Sequence, residues 1–223
     1  MERAPRKSVP KKILSKRRGM TMPRSESTKE GNVSFFDIFV LVLMVIFLFV
    51  YIRNQYGEVE FVRSNVDGRR YLVRKLRDSQ QAADMLGELN KRLCALIKHL
   101  RAKYPDHPGI KRLQDNFYPD NVSEGGIEHG YTSYSVNKSE KIVMCIRQDD
   151  DSFVSMNTLM YVATHELAHL MTKGVGHTDN FWANFEFMIK EAVDIGLYDV
   201  VDYSQHPVEY CGIKITSSIL TKE

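Results

Sequence analysis

Cysteine is scarce: Cys94, Cys145 and Cys211 are the only three in 223 residues. That excludes a disulfide-rich scaffold and a cysteine-based zinc site, and leaves room for at most one bridge. Buried free thiols are the expectation for all three, because a free Cys packs as a small hydrophobe. Gly (13) and Pro (7) are too few for a collagen-like or low-complexity chain. Neither sign of charge dominates, with 31 Lys/Arg against 28 Asp/Glu, but the balance shifts along the chain. Residues 1–30 carry ten basic and three acidic side chains, residues 63–112 thirteen and five, and residues 113–223 seven and seventeen. The whole chain therefore does not describe one basic surface for nucleic acid. With 43% hydrophobic and 26% charged residues, what is left is a chain able to bury a sizeable core.

Long apolar runs are also few, and one stands out. Residues 1–34, rich in Lys, Arg, Ser and Pro, read as a disordered basic arm. From Ile38 to Ile52 every residue is apolar, and Phe35, Phe36 and Asp37 extend the run to about 27 Å of helix at ~1.5 Å per residue. Residues 35–53 therefore read as an uncleaved transmembrane helix. Apolarity on every face argues against a core helix, and the long preceding arm argues against a cleaved signal peptide. The excess of Lys/Arg in the arm predicts a cytosolic N-terminus, with residues 57–223 in a lumen or outside. Asn121 and Asn137 would then be candidate glycosylation acceptors.

Beyond the run, two extended segments flank Val66-Asp67-Gly68 as a β-hairpin, and apolar residues from Ala82 to Leu100 at spacings of three and four predict a long helix after Asp78 and Ser79 as caps. A short helix is expected over 109–117 and a polar loop over 118–130. Strands are expected at Tyr131–Val136 and Lys141–Gln148, with a solvated turn at Asp149–Asp151. Helices at 156–173 and 179–195 end at Gly174 and Gly196.

The first of those helices contains His165-Glu166-Leu167-Ala168-His169. Residues four apart share a helix face, so both imidazoles can converge on one ion, and Glu166 lies beside it, placed to take a proton from water. Seven His and fourteen Glu give this pattern by chance roughly 0.014 times per chain. Imidazole donors suit Zn²⁺, and a third protein ligand is needed. His177, after the Gly174–Gly176 reversal, is the first choice; Glu186 and Glu191 are the alternatives. Tyr203, His206 and Tyr210 are candidate oxyanion donors, while Phe181 and Trp182 are expected to pack in the core.

THELAHL followed by GVGH and DNFW resembles the WLM and SprT-like zinc metallopeptidases. The resemblance covers most of residues 57–223, including VDGRRYLVR and the helix after it. It is strongest to membrane-anchored members encoded by large DNA viruses, where a tail like HPVEYCGIKITSSIL also occurs. It implies an α+β, zincin-like metallopeptidase domain: a short, mostly antiparallel sheet packed on helices, with HExxH on one helix. It implies zinc held by His165, His169 and His177, Glu166 as general base, and a protein or peptide substrate. In zincins the strand before the active helix pairs with extended substrate, which here points to Lys141–Gln148. The soluble DNA–protein crosslink proteases of these families lack the apolar anchor. The alternatives are a protease of DNA-bound proteins, using the basic arm and residues 63–112, and a non-catalytic zinc-stabilised membrane or assembly protein.

Overall fold

The computed structural model describes residues 34–125, 133–136 and 141–220, the side chains of residues 54–56 and 136 excepted. The predicted arm therefore lies outside the described residues, apart from Ser34, as does Asn137. The chain is α+β, and two compact units divide between Val45 and Ile46.

Helix α1 spans Phe35–Tyr56, with Ser34 N–H donating to Asp37 Oδ2 at 3.0 Å at its start. From Phe35 to Arg53 its mean hydropathy is 2.9 and none of it is buried, so it is long and apolar enough to cross a membrane.

In the second unit, β1 (Val59–Arg63) and β2 (Arg70–Arg74) pair antiparallel about the expected turn. Helix α2 (Ser79–Lys103) follows. Its Leu86, Leu89, Leu93, Leu96 and Leu100 are buried, each contributing roughly 1.5–3 kcal/mol. Helix α2 packs on β2 and on α4 (Met156–Met171), and α4 packs in turn on α3 (Pro108–Asn116) and α5 (Asp179–Asp194). Asp78 does not cap α2 through its side chain; its Oδ2 accepts from Arg147 Nη1 at 2.6 Å.

Residues 118–125 are not a simple polar loop. They hold a 3-10 turn (Pro119–Asn121) and strand β3 (Val122–Glu124), in which Ser123 and Glu124 are buried. Three residues are too few to display a period, and the Glu124 carboxylate is buried because it has partners. Glu124 accepts from Arg74 N–H at 2.7 Å and from the buried Arg147 Nε at 2.8 Å. Strands β4 (Ser133–Val136) and β5 (Lys141–Met144) complete a sheet in the order β3-β5-β4, with β3 parallel and β4 antiparallel to β5. The strand expected at the substrate edge is thus the central one, and β4 lies at the edge.

The segment after α5 forms a second hairpin of β6 (Val208–Tyr210) and β7 (Ile213–Ile215). Two of the three expected free thiols are joined, Cys145 at the end of β5 to Cys211 in the β6–β7 turn. Cys94 is free but exposed, so burial fails for it as well. Sequence spacing gave no reason to pair residues 66 apart; the fold brings their Cα atoms to 6.3 Å.

Candidate metal centre

Helix α4 starts at Ser155, whose hydroxyl accepts from Thr158 N–H, and runs to Met171. Its apolar residues Leu159, Met160, Ala163, Leu167 and Leu170 are buried, so Tyr161, Val162, His165, Glu166 and His169 are left on the face that lines a cleft of about 800 Å³. Past the helix end, Gly174 and Gly176 take φ of +116° and +85°, conformations that glycine adopts without penalty, and reverse the chain. Thr172 accepts from Asn184 Nδ2 at 2.8 Å and Thr178 caps α5, so the loop is clamped at both ends with His177 between.

The reversal brings the third imidazole back. His177 Nε2 lies 3.0 Å from His165 Nε2, and one ring nitrogen from each of His165, His169 and His177 falls within 4.8 Å of the others. Ligands on a tetrahedral zinc with bonds of about 2.0–2.1 Å stand roughly 3.3 Å apart, inside that range. The donor set therefore fits zinc. Burial first, then the neighbouring rings of His169 and His177, push His165 down to about 3, which favours the neutral imidazole, the form that binds a metal. The rival carboxylates are elsewhere: Glu186 pairs with Lys190 at 2.6 Å, and Glu191 is buried against Tyr104, Lys103 and His99.

Phe181 forms the floor of the cluster. It is fully buried, with its ring centroid 4.3–4.8 Å from the three imidazole centroids. Trp182, expected in the core, is instead 37% exposed and stacks on His177 at 5.4 Å.

Glu166 is 6% exposed, and burial pushes its carboxyl up to about 7 against the opposing hydrogen bonds from the Ser135 hydroxyl and backbone N–H. A carboxyl titrating near neutrality can both accept and return a proton. Ser135 belongs to β4, and Ser133, Tyr134 and Ser135 line the cleft opposite α4. Sequence reasoning missed these serines because nothing in a four-residue strand marks which edge it occupies. Tyr161 and Val162 were also missed, although positions four and three before His165 on one helix must share its face. Of the three candidate oxyanion donors, only Tyr210 lines the cleft. Tyr203 is buried in a ring cluster with Tyr161, and His206 is exposed outside it.

The α+β domain thus gathers three histidines that could hold a metal ion and a buried glutamate in one cleft. The chain belongs to the WLM domain family, whose model matches residues 69–207, a family associated with metallopeptidases. Its relatives include proteins of large DNA viruses. An uncharacterized protein of Acanthamoeba polyphaga mimivirus is 31% identical over 189 residues, covering 82% of this chain and 96% of the relative. An uncharacterized protein of Invertebrate iridescent virus 6 is 26% identical over 145 residues, covering 61% of this chain and 80% of the relative. No solved structure matches the chain.

Proposed function

We propose that this chain is a single-pass membrane-anchored zinc peptidase that hydrolyses protein substrates, with a zincin-like domain over residues 57–223. The observation that carries the reading is the convergence of His165, His169 and His177 beside Glu166. A divalent ion held there supplies Lewis acidity toward water and toward a carbonyl. Glu166 takes the proton of the attacking water and returns it to the leaving nitrogen as the C–N bond breaks. Among the described residues β4 is the end strand of its sheet and lines the cleft, so an extended substrate can lie alongside Ser133–Ser135. Tyr161, Val162, Ile213 and Ile215 make one wall of the cleft apolar and suit a hydrophobic side chain.

Helix α1 is the anchor in this reading. The Cys145–Cys211 bridge supports a lumenal or external domain, since disulfides persist in oxidising compartments. The test is to purify the full chain in detergent, measure bound zinc, and compare casein hydrolysis by wild type and Glu166→Gln. One zinc per chain and a loss of roughly 10²–10⁴-fold in the variant are expected. Metal-free protein, or equal activity in the two, refutes the assignment.

A further inference from the structure

The pair Ser133 and Tyr210 lies in the same cleft, outside the metal cluster, and no step so far uses it. Ser133 and Ser135 are two apart on β4, so their side chains leave the same face of the strand, about 7 Å apart. Ser135 holds Glu166, and Ser133 Oγ lies 2.6 Å from Tyr210 Oη. Tyr210, itself buried, therefore has its hydroxyl at the strand position next to the one that holds the general base, and the residue lines the same cavity. Their proximity is felt electrostatically: burial first, and the Glu166 charge further, push the Tyr210 phenol up, so it stays a protonated donor.

A proton count shows what the pair can give. Ser133 Oγ accepts the Cys145 backbone N–H at 3.0 Å. Of the two hydroxyl protons, one fills the Ser133–Tyr210 bond. The second has no acceptor among the described residues. With Ser133 donating to Tyr210, the free O–H belongs to the phenol.

We propose that Tyr210 is a catalytic residue, donating this O–H to the carbonyl oxygen of the scissile peptide as it becomes an oxyanion. The inference rests on the peptidase reading. Water oxygen bonds to the carbonyl carbon, the carbonyl π pair moves onto oxygen, and Tyr210 stabilises that charge by a hydrogen bond without giving up its proton. When the oxygen re-forms its double bond, the C–N bond breaks and nitrogen receives the proton held by Glu166. A donor is most useful when it needs no reorganisation, and Tyr210 is fixed on both sides. Cys211 N–H donates to Gln148 Oε1 at 2.9 Å, and Gln148 Nε2 donates to Glu209 C=O at 2.7 Å. Cys145 acts twice, its N–H holding Ser133 and its sulfur holding the residue after Tyr210. Ser133 is a positioning residue in this scheme. Tyr210 lies beyond residues 69–207, the part of the chain that matches the family model.

The test uses the full chain in detergent with zinc, comparing wild type, Tyr210→Phe, Ser133→Ala and Glu166→Gln on fluorescent casein. A second measurement is calorimetric binding of a phosphinic pseudo-tripeptide with leucine-like side chains, a tetrahedral mimic, against binding of the amide-containing tripeptide. Tyr210→Phe keeps the ring, and its zinc content and non-reduced mass check the fold. The expected result is kcat down about 10²-fold with KM within about twofold, and a similar loss of affinity for the phosphinic probe but not for the amide. Ser133→Ala should show a smaller loss of the same kind. A Tyr210→Phe protein with kcat within about threefold of wild type, or with unchanged phosphinic affinity, overturns the proposal while an inactive Glu166→Gln leaves the peptidase reading standing. Wild type without activity overturns both.

Discussion

Removing the cross-link between β5 and the β6–β7 turn is the perturbation whose size can be worked most directly. Cys145 and Cys211 are 66 residues apart in sequence, and closing a loop of that length withdraws about 4 kcal/mol of conformational entropy from the unfolded chain at 25 °C. The Gln148 bonds to Cys211 and Glu209 survive a double Cys145→Ser, Cys211→Ser substitution, so the native hairpin still has anchors. The variant should therefore fold, with a stability lower by about 2–4 kcal/mol. Trp182 is the only tryptophan and stacks on His177, so its fluorescence reports unfolding at the site itself. In guanidinium titrations of the full chain, a slope of roughly 4 kcal/mol/M converts the loss to a midpoint lower by about 0.5–1 M. Cys94→Ser is the control and should leave the midpoint in place, because that thiol is exposed and unpaired. A midpoint change below about 0.2 M, together with alkylation of Cys145 and Cys211 in unreduced wild type, would show that the bridge contributes nothing.

Two further outcomes concern the framework. A Cβ at Gly87 would clash with Ser64 Oγ and meet Asp67 Oδ1 at 3.2 Å, and Ser64 is itself fixed by bonds to Asp84 and Val66. Gly87→Ala should therefore cost about 1–3 kcal/mol of unfolding free energy despite alanine's better helix propensity, and a gain in thermal midpoint would contradict the packing argument. For Glu191, burial pushes the carboxyl up but is outweighed by hydrogen bonds from Tyr104, Lys103 and His99, and the result is a lowered pKa. A lowered carboxylate pKa adds stability above the unfolded value near 4.5 and loses it as pH falls through the folded value. Glu191→Gln should thus lose about 1–3 kcal/mol at pH 7 and progressively less below pH 4. Melting curves from pH 7 to pH 3 showing a constant gap would sink this account.

The parts of the fold legible in the sequence are those with a period or a motif. Five leucines at spacings of three and four specified α2, and Val66-Asp67-Gly68 between extended runs specified the first hairpin. The four-residue histidine spacing and the glycine reversal pointed to His177, and the fold brings its ring to His165. Strand order was hidden, because β3, β4 and β5 are each three or four residues long and their register depends on partners distant in sequence. The same holds for Glu124 and Arg147, charged residues that look solvated in isolation and are buried because each supplies the other's partner. The β6–β7 hairpin was obscured by its turn, in which Cys211 takes φ of +51° before Gly212, a conformation uncommon for a residue other than glycine.

All three imidazoles, Glu166 and Tyr210 fall between Cys145 and Cys211, so the bridge encloses the cleft's chemistry in one covalent ring. Val175, at 90% exposure, is the most accessible apolar point in that ring. A nick there, by an outside protease or by a second copy of the chain, frees no fragment. Both pieces stay tethered through the sulfurs and separate only on a reducing gel, so a clipped molecule would keep the mass of an intact one plus one water.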